Sequence, residues 1–86
     1  MKELIDNINS ILKDNTLILH IEQTSTAIKS INKTDYILYA FGKKDERPYK
    51  IWSLSKNIKV GEDTDSIDAK LELLKFIVKG GISQYE

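Results

Sequence analysis

Residues 36–52, YILYAFGKKDERPYKIW, consist of two aromatic and apolar runs separated by a charged loop that holds the only proline of the chain. Period-two alternation on both sides of a polar loop predicts a β-hairpin. If this loop has no bulge, Tyr39 pairs with Ile51 and Ile37 pairs with Ser53. This register predicts the two faces of the sheet, and with them both the fold and the candidate site.

Only one of the two hairpin faces can be covered by helices. We expect the face with the tryptophan to form the core, because a small alanine beside a large indole suits an irregular, helix-packed interior. That face contains Tyr36, Leu38, Ala40, Trp52 and Leu54, with Lys50 near the loop. The other face then stays open and contains Ile37, Tyr39, Phe41, Tyr49, Ile51 and Ser53. The reverse assignment of the two faces remains the alternative.

Two segments before the hairpin have clear periodicity. The first residues predict a helix, with an apolar stripe formed by Leu4, Ile5, Ile8, Ile11 and Leu12. Alternation over residues 16–23 predicts a strand whose inner face begins at Leu17, and 27–31 predicts a weaker strand. Turn-favouring side chains predict turns at 24–25 and at 32–35.

A final helix is predicted from about Asp65 to Lys79, followed by Gly80-Gly81 as a stop signal. Its apolar side chains fall into two groups that together cover more than half of its circumference. One group contains Ile67, Leu71, Leu74 and Val78, and the other contains Ala69, Leu73, Phe76 and Ile77. A helix on a sheet needs an apolar stripe only about 100° wide. We therefore expect this helix to contact either the first helix or another molecule as well.

The order of these elements predicts an α+β fold, with residues 1–86 as a single compact domain. We expect an antiparallel sheet of three to four strands, with the N-terminal and C-terminal helices packed on one face. The N-terminal segment lacks the apolar stretch of a signal peptide, and no apolar run is long enough to span a membrane. The sequence therefore predicts a cytoplasmic protein without membrane contact.

Thirteen basic and thirteen acidic residues give a net charge of zero, but the charges are unevenly distributed. Residues 29–59 contain eight basic against three acidic side chains. Aromatic residues with a basic rim are typical of partner-binding surfaces. We therefore predict a protein-binding site on the open face and its loop, formed by Tyr39, Phe41, Lys43, Lys44, Arg47, Tyr49 and Ile51.

Three other interpretations of this surface stay open. The rings can pair with one another across strands, or another segment of the chain can cover them. They can also stack on single-stranded bases, although zero net charge and the lack of an RNP-like motif make nucleic acid the weaker alternative. A homodimer formed through the open face or the last helix is the third interpretation.

The stretch EDTDSIDAKLE, residues 62–72, is a second candidate site. On a helix, side chains four residues apart lie about 6 Å apart, close to the interval between neighbouring phosphates. An imitation of a nucleic-acid backbone would involve Glu62, Asp63, Asp65, Asp68 and Glu72. Helix capping and ion pairs with lysines one turn further on explain the same residues without any partner.

The sequence offers little for catalysis. It contains no cysteine and a single histidine, His20, which lies on the outer side of the first strand near Glu22. A calcium loop, a phosphate-binding glycine loop and the common hydrolase motifs do not occur in it. We therefore expect a protein that is not an enzyme and that binds no metal or cofactor.

Two known families share general features with the chain. The α-β-β-β-α order resembles the double-stranded-RNA-binding domain, but EDTDSID stands where that family places phosphate-binding lysines. A cysteine-free α+β chain of this length, rich in lysine and isoleucine, is also similar in kind to small phage or mobile-element proteins that block host defence, notably the anti-CRISPR proteins. This second resemblance implies a non-catalytic inhibitor or adaptor that binds a larger protein, a CRISPR effector, in the host cytoplasm.

Overall fold

The computed structural model describes five elements within residues 1–12, 17–42, 47–62 and 67–82. In chain order they are α1 (Lys2–Ile11), β1 (Leu17–Ile28), β2 (Ile31–Gly42), β3 (Tyr49–Lys59) and α2 (Ile67–Val78). The strands form one antiparallel sheet in the order β1-β2-β3. The predicted α+β class, with one helix before the sheet and one after it, is confirmed.

Both helices pack on the same face of the sheet, as predicted. On β1 and β2 the buried apolar side chains of this face are Leu17, Leu19, Tyr36, Leu38 and Ala40, and Thr34 is buried on the same face. Ile5 from α1 and Leu73 from α2 belong to the same core cluster, and Trp52 packs against it from β3. The face with Trp52 is therefore the core face. The predicted stripe of α1 is wrong at its margin, because Ile11, in the last turn, is exposed.

An asparagine side chain attaches α1 to β1, which is an edge strand of the sheet. Asn9 donates through Nδ2 to the Leu19 carbonyl oxygen at 2.9 Å. The Leu19 N–H donates to Asn9 Oδ1, also at 2.9 Å. The amide therefore occupies both backbone groups of Leu19, as a neighbouring strand would, and it blocks this part of the edge.

The first hairpin is longer than the sequence predicts. Thr24 pairs with Asp35 and Ser25 with Thr34, so both predicted turns lie inside paired strands and are wrong. The hydroxyl groups of Ser25 and Thr34 are hydrogen-bonded at 3.1 Å. Threonine favours strands as well as turns, and here cross-strand pairing outweighs local turn propensity.

The turn between β1 and β2 consists of Lys29 and Ser30. Ile28 pairs with Ile31 on either side of it, which makes a two-residue hairpin loop. Lys29 has φ 56°, a conformation that such loops usually assign to glycine, asparagine or aspartate. Because none of these residues occurs at this turn, the sequence carries no conventional signal for it.

The β2–β3 register agrees with the prediction at Ile37 and Ser53 and then departs from it. A bulge adds Ile51 as an extra residue on β3, so that Tyr39 faces Lys50 instead. Ile51 turns into the core and is 8% exposed, so its predicted place on the open face is wrong. Burying an isoleucine side chain contributes about 1.5–3 kcal/mol, which offsets the local disruption of the strand ladder.

The C-terminal end of α2 has the geometry of a Schellman motif. Gly80 N–H donates to the Ile77 carbonyl at 2.9 Å, and Gly81 N–H donates to the Phe76 carbonyl at 3.1 Å. Gly80 has φ 79°, the left-handed conformation that this cap requires. The double glycine therefore ends the helix as predicted, and the Phe76 ring packs closely over Gly81.

Candidate protein-binding surface

The sheet face opposite the helices, which we call the outer face, carries the main candidate site. In the half of this face nearer the β2–β3 loop, its members on the three strands are Ile18, His20, Glu22, Ile37, Tyr39, Phe41, Lys50 and Ser53. Ile18 is exposed, while Tyr39 and Phe41 are half-buried. Because the core and both helices lie on the other side, no described element covers these side chains.

Ring contacts organise the centre of the outer face. His20 lies directly opposite Tyr39, and Ile18 lies opposite Phe41. The His20 and Phe41 rings meet edge to face, with centroids 6.4 Å apart and planes at 65°. Such pairs stabilise a sheet and hold the rings in place without burying them fully. Tyr39 and Phe41 thus lie together on the open face, as predicted.

Tyr39 and Glu22 form a polar pair within this face. Partial burial, the negative charge of Glu22 and a hydrogen bond to Glu22 raise the pKa of Tyr39 above its usual value. A tyrosine phenol is protonated at neutral pH in any case, so Tyr39 is the donor and the Glu22 carboxylate the acceptor. Glu22 leaves one acidic group among the rings, which the sequence prediction of an aromatic and basic surface did not include.

The basic part of the candidate site is only partly described. Arg47 is exposed at the start of the segment that leads into β3, whereas Lys43 and Lys44 lie outside the described residues. The bulge adds Lys50, which pairs with Tyr39 on the outer face instead of lying on the core face. The sequence prediction missed Lys50 because no local signal marks the bulge.

Tyr49 does not share a face with Tyr39. It lies opposite Ala40, a core-face residue, at the end of β3 next to the loop. Its side chain is 51% exposed. Its predicted place on the open face is therefore wrong for the same reason as that of Ile51, because the bulge reverses the side to which residues before it point.

Two of the three described acidic candidates of residues 62–72 occur in ion pairs. Asp68 accepts a hydrogen bond from Lys56 at 2.8 Å, and this hydrogen bond and the lysine charge lower the pKa of Asp68. Glu72 lies 3.5 Å from Lys75. Glu62 is exposed, and Asp63 and Asp65 lie outside the described residues. The Glu72–Lys75 pair is of the predicted kind, one turn apart on α2, whereas Asp68 pairs with a lysine of β3 and not with one of its own helix.

A second exposed surface lies on α2. Ala69 and Leu73 face the core, whereas Ile67 and Val78 are 74% and 84% exposed, and Leu71 is also exposed. The two apolar groups predicted for this helix are therefore separated: one packs on the sheet, and the other faces away from it. The sequence analysis predicted the width of this apolar surface and left contact with the first helix or with another molecule, including a second copy, as its alternatives.

No protein-family model, curated protein or solved structure matches the chain. Among the described residues, no three histidine, aspartate or glutamate side chains come together as a possible metal site. Within the same ranges, no helix has the length and apolar character needed to cross a membrane.

Proposed function

We propose that this chain is a non-catalytic inhibitor that binds the surface of a larger protein through the outer face of its sheet. The observation that supports this proposal is an ordered group of apolar and aromatic side chains on a sheet face that no described element covers. As the first partner to test we propose a CRISPR effector, because the chain is similar in kind to anti-CRISPR proteins in size, composition and element order.

The centre of the outer face has the composition of a binding hot spot. Tyrosine and arginine are enriched among residues that dominate binding energy, and Tyr39 lies at the centre with Arg47 and Lys50 towards the loop. The His20 and Phe41 rings already support each other in the free protein. Binding then orders few additional side chains, which lowers the entropic cost of association.

Inhibition would follow from occupancy. A sheet face that occupies an effector surface excludes any substrate or domain movement that needs the same surface, and no bond has to be made or broken. Lys50 and Arg47 favour an acidic patch on the partner, and Glu22 favours a hydrogen-bond donor beside Tyr39.

The first experiment measures inhibition of target-DNA cleavage by a panel of purified CRISPR effectors with their guide RNAs. We expect wild-type chain to inhibit at least one effector, and the double variant Tyr39→Ala/Phe41→Ala to require about 30-fold more protein for the same inhibition. Tyr49→Ala is the matched control, because it removes an exposed tyrosine outside the outer face.

Three outcomes would contradict the proposal. Inhibition of none of the effectors would reject the proposed partner class. Equal inhibition by the double variant, with its fold intact by circular dichroism, would reject the outer face as the binding surface. Retardation of single-stranded or double-stranded nucleic acid in gel shifts at low salt would support the nucleic-acid alternative instead.

A further inference from the structure

The exposed side of α2 carries an apolar seam with regular spacing. Ile67, Leu71, Leu74 and Val78, which we call the α2 stripe, follow one another at intervals of four, three and four residues. This is the spacing of the a and d positions of a coiled coil. Leu74 is half-buried and the other three are exposed.

Within the part of the chain that the structure describes, no segment covers the α2 stripe. The opposite side of α2 supplies Ala69 and Leu73 to the core, both with no exposed surface. The stripe leaves roughly two complete aliphatic side chains of apolar area in water per copy. An apolar seam of this regularity on a helix that already packs through its other side is typical of a helix that associates with a second helix.

The charges beside the α2 stripe indicate which second helix it binds. Asp68 follows Ile67 and Lys75 follows Leu74, so both occupy the same flank of the seam, at the e positions. When two copies run antiparallel, Asp68 of each copy faces Lys75 of the other. When they run parallel, Lys70 instead approaches Lys75 of the other copy, and the two lysines repel each other.

We propose that the α2 stripe binds the α2 stripe of a second copy of this chain in an antiparallel, two-fold symmetric pair. Each such pair brings together two Asp68–Lys75 contacts and no like-charge contact between these e positions. Asp68 Oδ2 accepts a hydrogen bond from the Lys56 ammonium group, yet 78% of the Asp68 side chain stays exposed. A second lysine therefore has access to the carboxylate. The α2 stripe and its flank are therefore complementary to a second copy of themselves in apolar character and in charge.

This association is weak and leaves the outer face free. A pair of helices of 12 residues is smaller than a standard protein interface, so we expect a dissociation constant on the order of 100 μM. Because the α2 stripe lies on the helix side of the sheet, the dimer would present two outer faces. Two binding faces on one particle raise apparent affinity for a partner that offers two sites.

The test is sedimentation equilibrium of the full chain from about 10 μM to about 1 mM, a range that brackets the expected dissociation constant. We expect a reversible increase from monomer to dimer mass. Val78→Asp, at the most exposed stripe position, and Lys75→Glu should each weaken association at least tenfold. Asp68→Lys/Lys75→Glu, which exchanges the two charges, should restore it.

Lys70→Glu is the matched control, because it makes the same charge change as Lys75→Glu on the other flank. Antiparallel pairing predicts an unchanged dissociation constant for this variant, whereas stronger association would reveal a parallel pair.

A monomer throughout the range, or equal association of wild type and Lys75→Glu, would overturn the proposal. Tyr39→Ala/Phe41→Ala should dimerise with the same dissociation constant as the wild type. Failure of the outer-face proposal is therefore distinguishable from failure of the dimer proposal. Asp68→Lys/Lys75→Glu also loses the Lys56 contact. If that loss unfolds it, the comparison of Lys75→Glu with Lys70→Glu still distinguishes antiparallel pairing from no pairing.

Discussion

Replacement of Asn9 by alanine tests how α1 is held on the sheet. The change removes both hydrogen bonds between the amide and the backbone of Leu19, each 2.9 Å long. Partly buried backbone groups that lose their partners cost about 1–3 kcal/mol of stability. We expect a loss of this size, and therefore a melting temperature lower by roughly 4–8 °C for each kcal/mol.

The assay is urea unfolding followed by circular dichroism, with Asn7→Ala as the matched control. Asn7 is an exposed asparagine on the same helix, so its replacement reports the gain in helix propensity alone, at most about 0.7 kcal/mol. The difference between the two variants isolates the contacts with Leu19. Hydrogen exchange should also become faster at the Leu19 amide in Asn9→Ala and remain unchanged in Asn7→Ala.

Asn9→Asp separates the two hydrogen bonds. The carboxylate still accepts from the Leu19 N–H, but its second oxygen meets the Leu19 carbonyl without a proton to donate. We expect this variant to be less stable than Asn7→Ala at neutral pH and to recover partly when acid protonates the introduced carboxylate. Equal stability of Asn9→Ala and Asn7→Ala would refute the proposed role of the amide.

Three further predictions concern single sites. Gly81→Ala should destabilise the protein by about 1–3 kcal/mol, because its Cβ would overlap the Phe76 ring; a melting temperature equal to that of the wild type would contradict this packing. Lys29→Gly should stabilise it by about 0.5–1 kcal/mol in urea unfolding, because glycine adopts φ 56° without strain; a loss of stability would show that the lysine side chain matters more than its backbone. The Lys56 contact lowers the pKa of Asp68 in the folded protein, so its stabilising contribution is present above the unfolded pKa near 4 and is lost as pH falls through the folded pKa. Asp68→Asn should therefore melt below the wild type at pH 7 and nearer to it at about pH 2, and a gap that stays constant with pH would contradict the pairing.

Regular alternation explains why most of the fold could be predicted from the sequence. Leu17 and Leu19 mark the inner side of β1, and Tyr36 and Leu38 mark that of β2, because every second residue of a strand points to the same face. The two helices follow from apolar periodicity and from the glycine stop after α2. The position of Tyr39 on the outer face follows from the same alternation.

The errors come from features that depend on tertiary contacts. Lys29 makes the first turn without glycine or asparagine, so its position is decided by the pairing of two long strands rather than by local preference. The bulge at Ile51 interrupts the regular strand pairing and buries the Ile51 side chain. As a result, two predicted site residues, Tyr49 and Ile51, do not lie on the outer face. The contact between Asn9 and Leu19 joins two elements whose distance in space no local pattern reveals.

The central proposal, that the outer face is the binding surface, is tested most directly by comparing the dissociation constants of the wild type and of Ile18→Asp for an effector identified in the proposed inhibition panel. Ile18 is exposed opposite Phe41, so a carboxylate there would be buried against the partner but solvated in the free protein. We predict binding at least about 30-fold weaker with a melting temperature close to that of the wild type. An unchanged dissociation constant would show that the partner binds elsewhere.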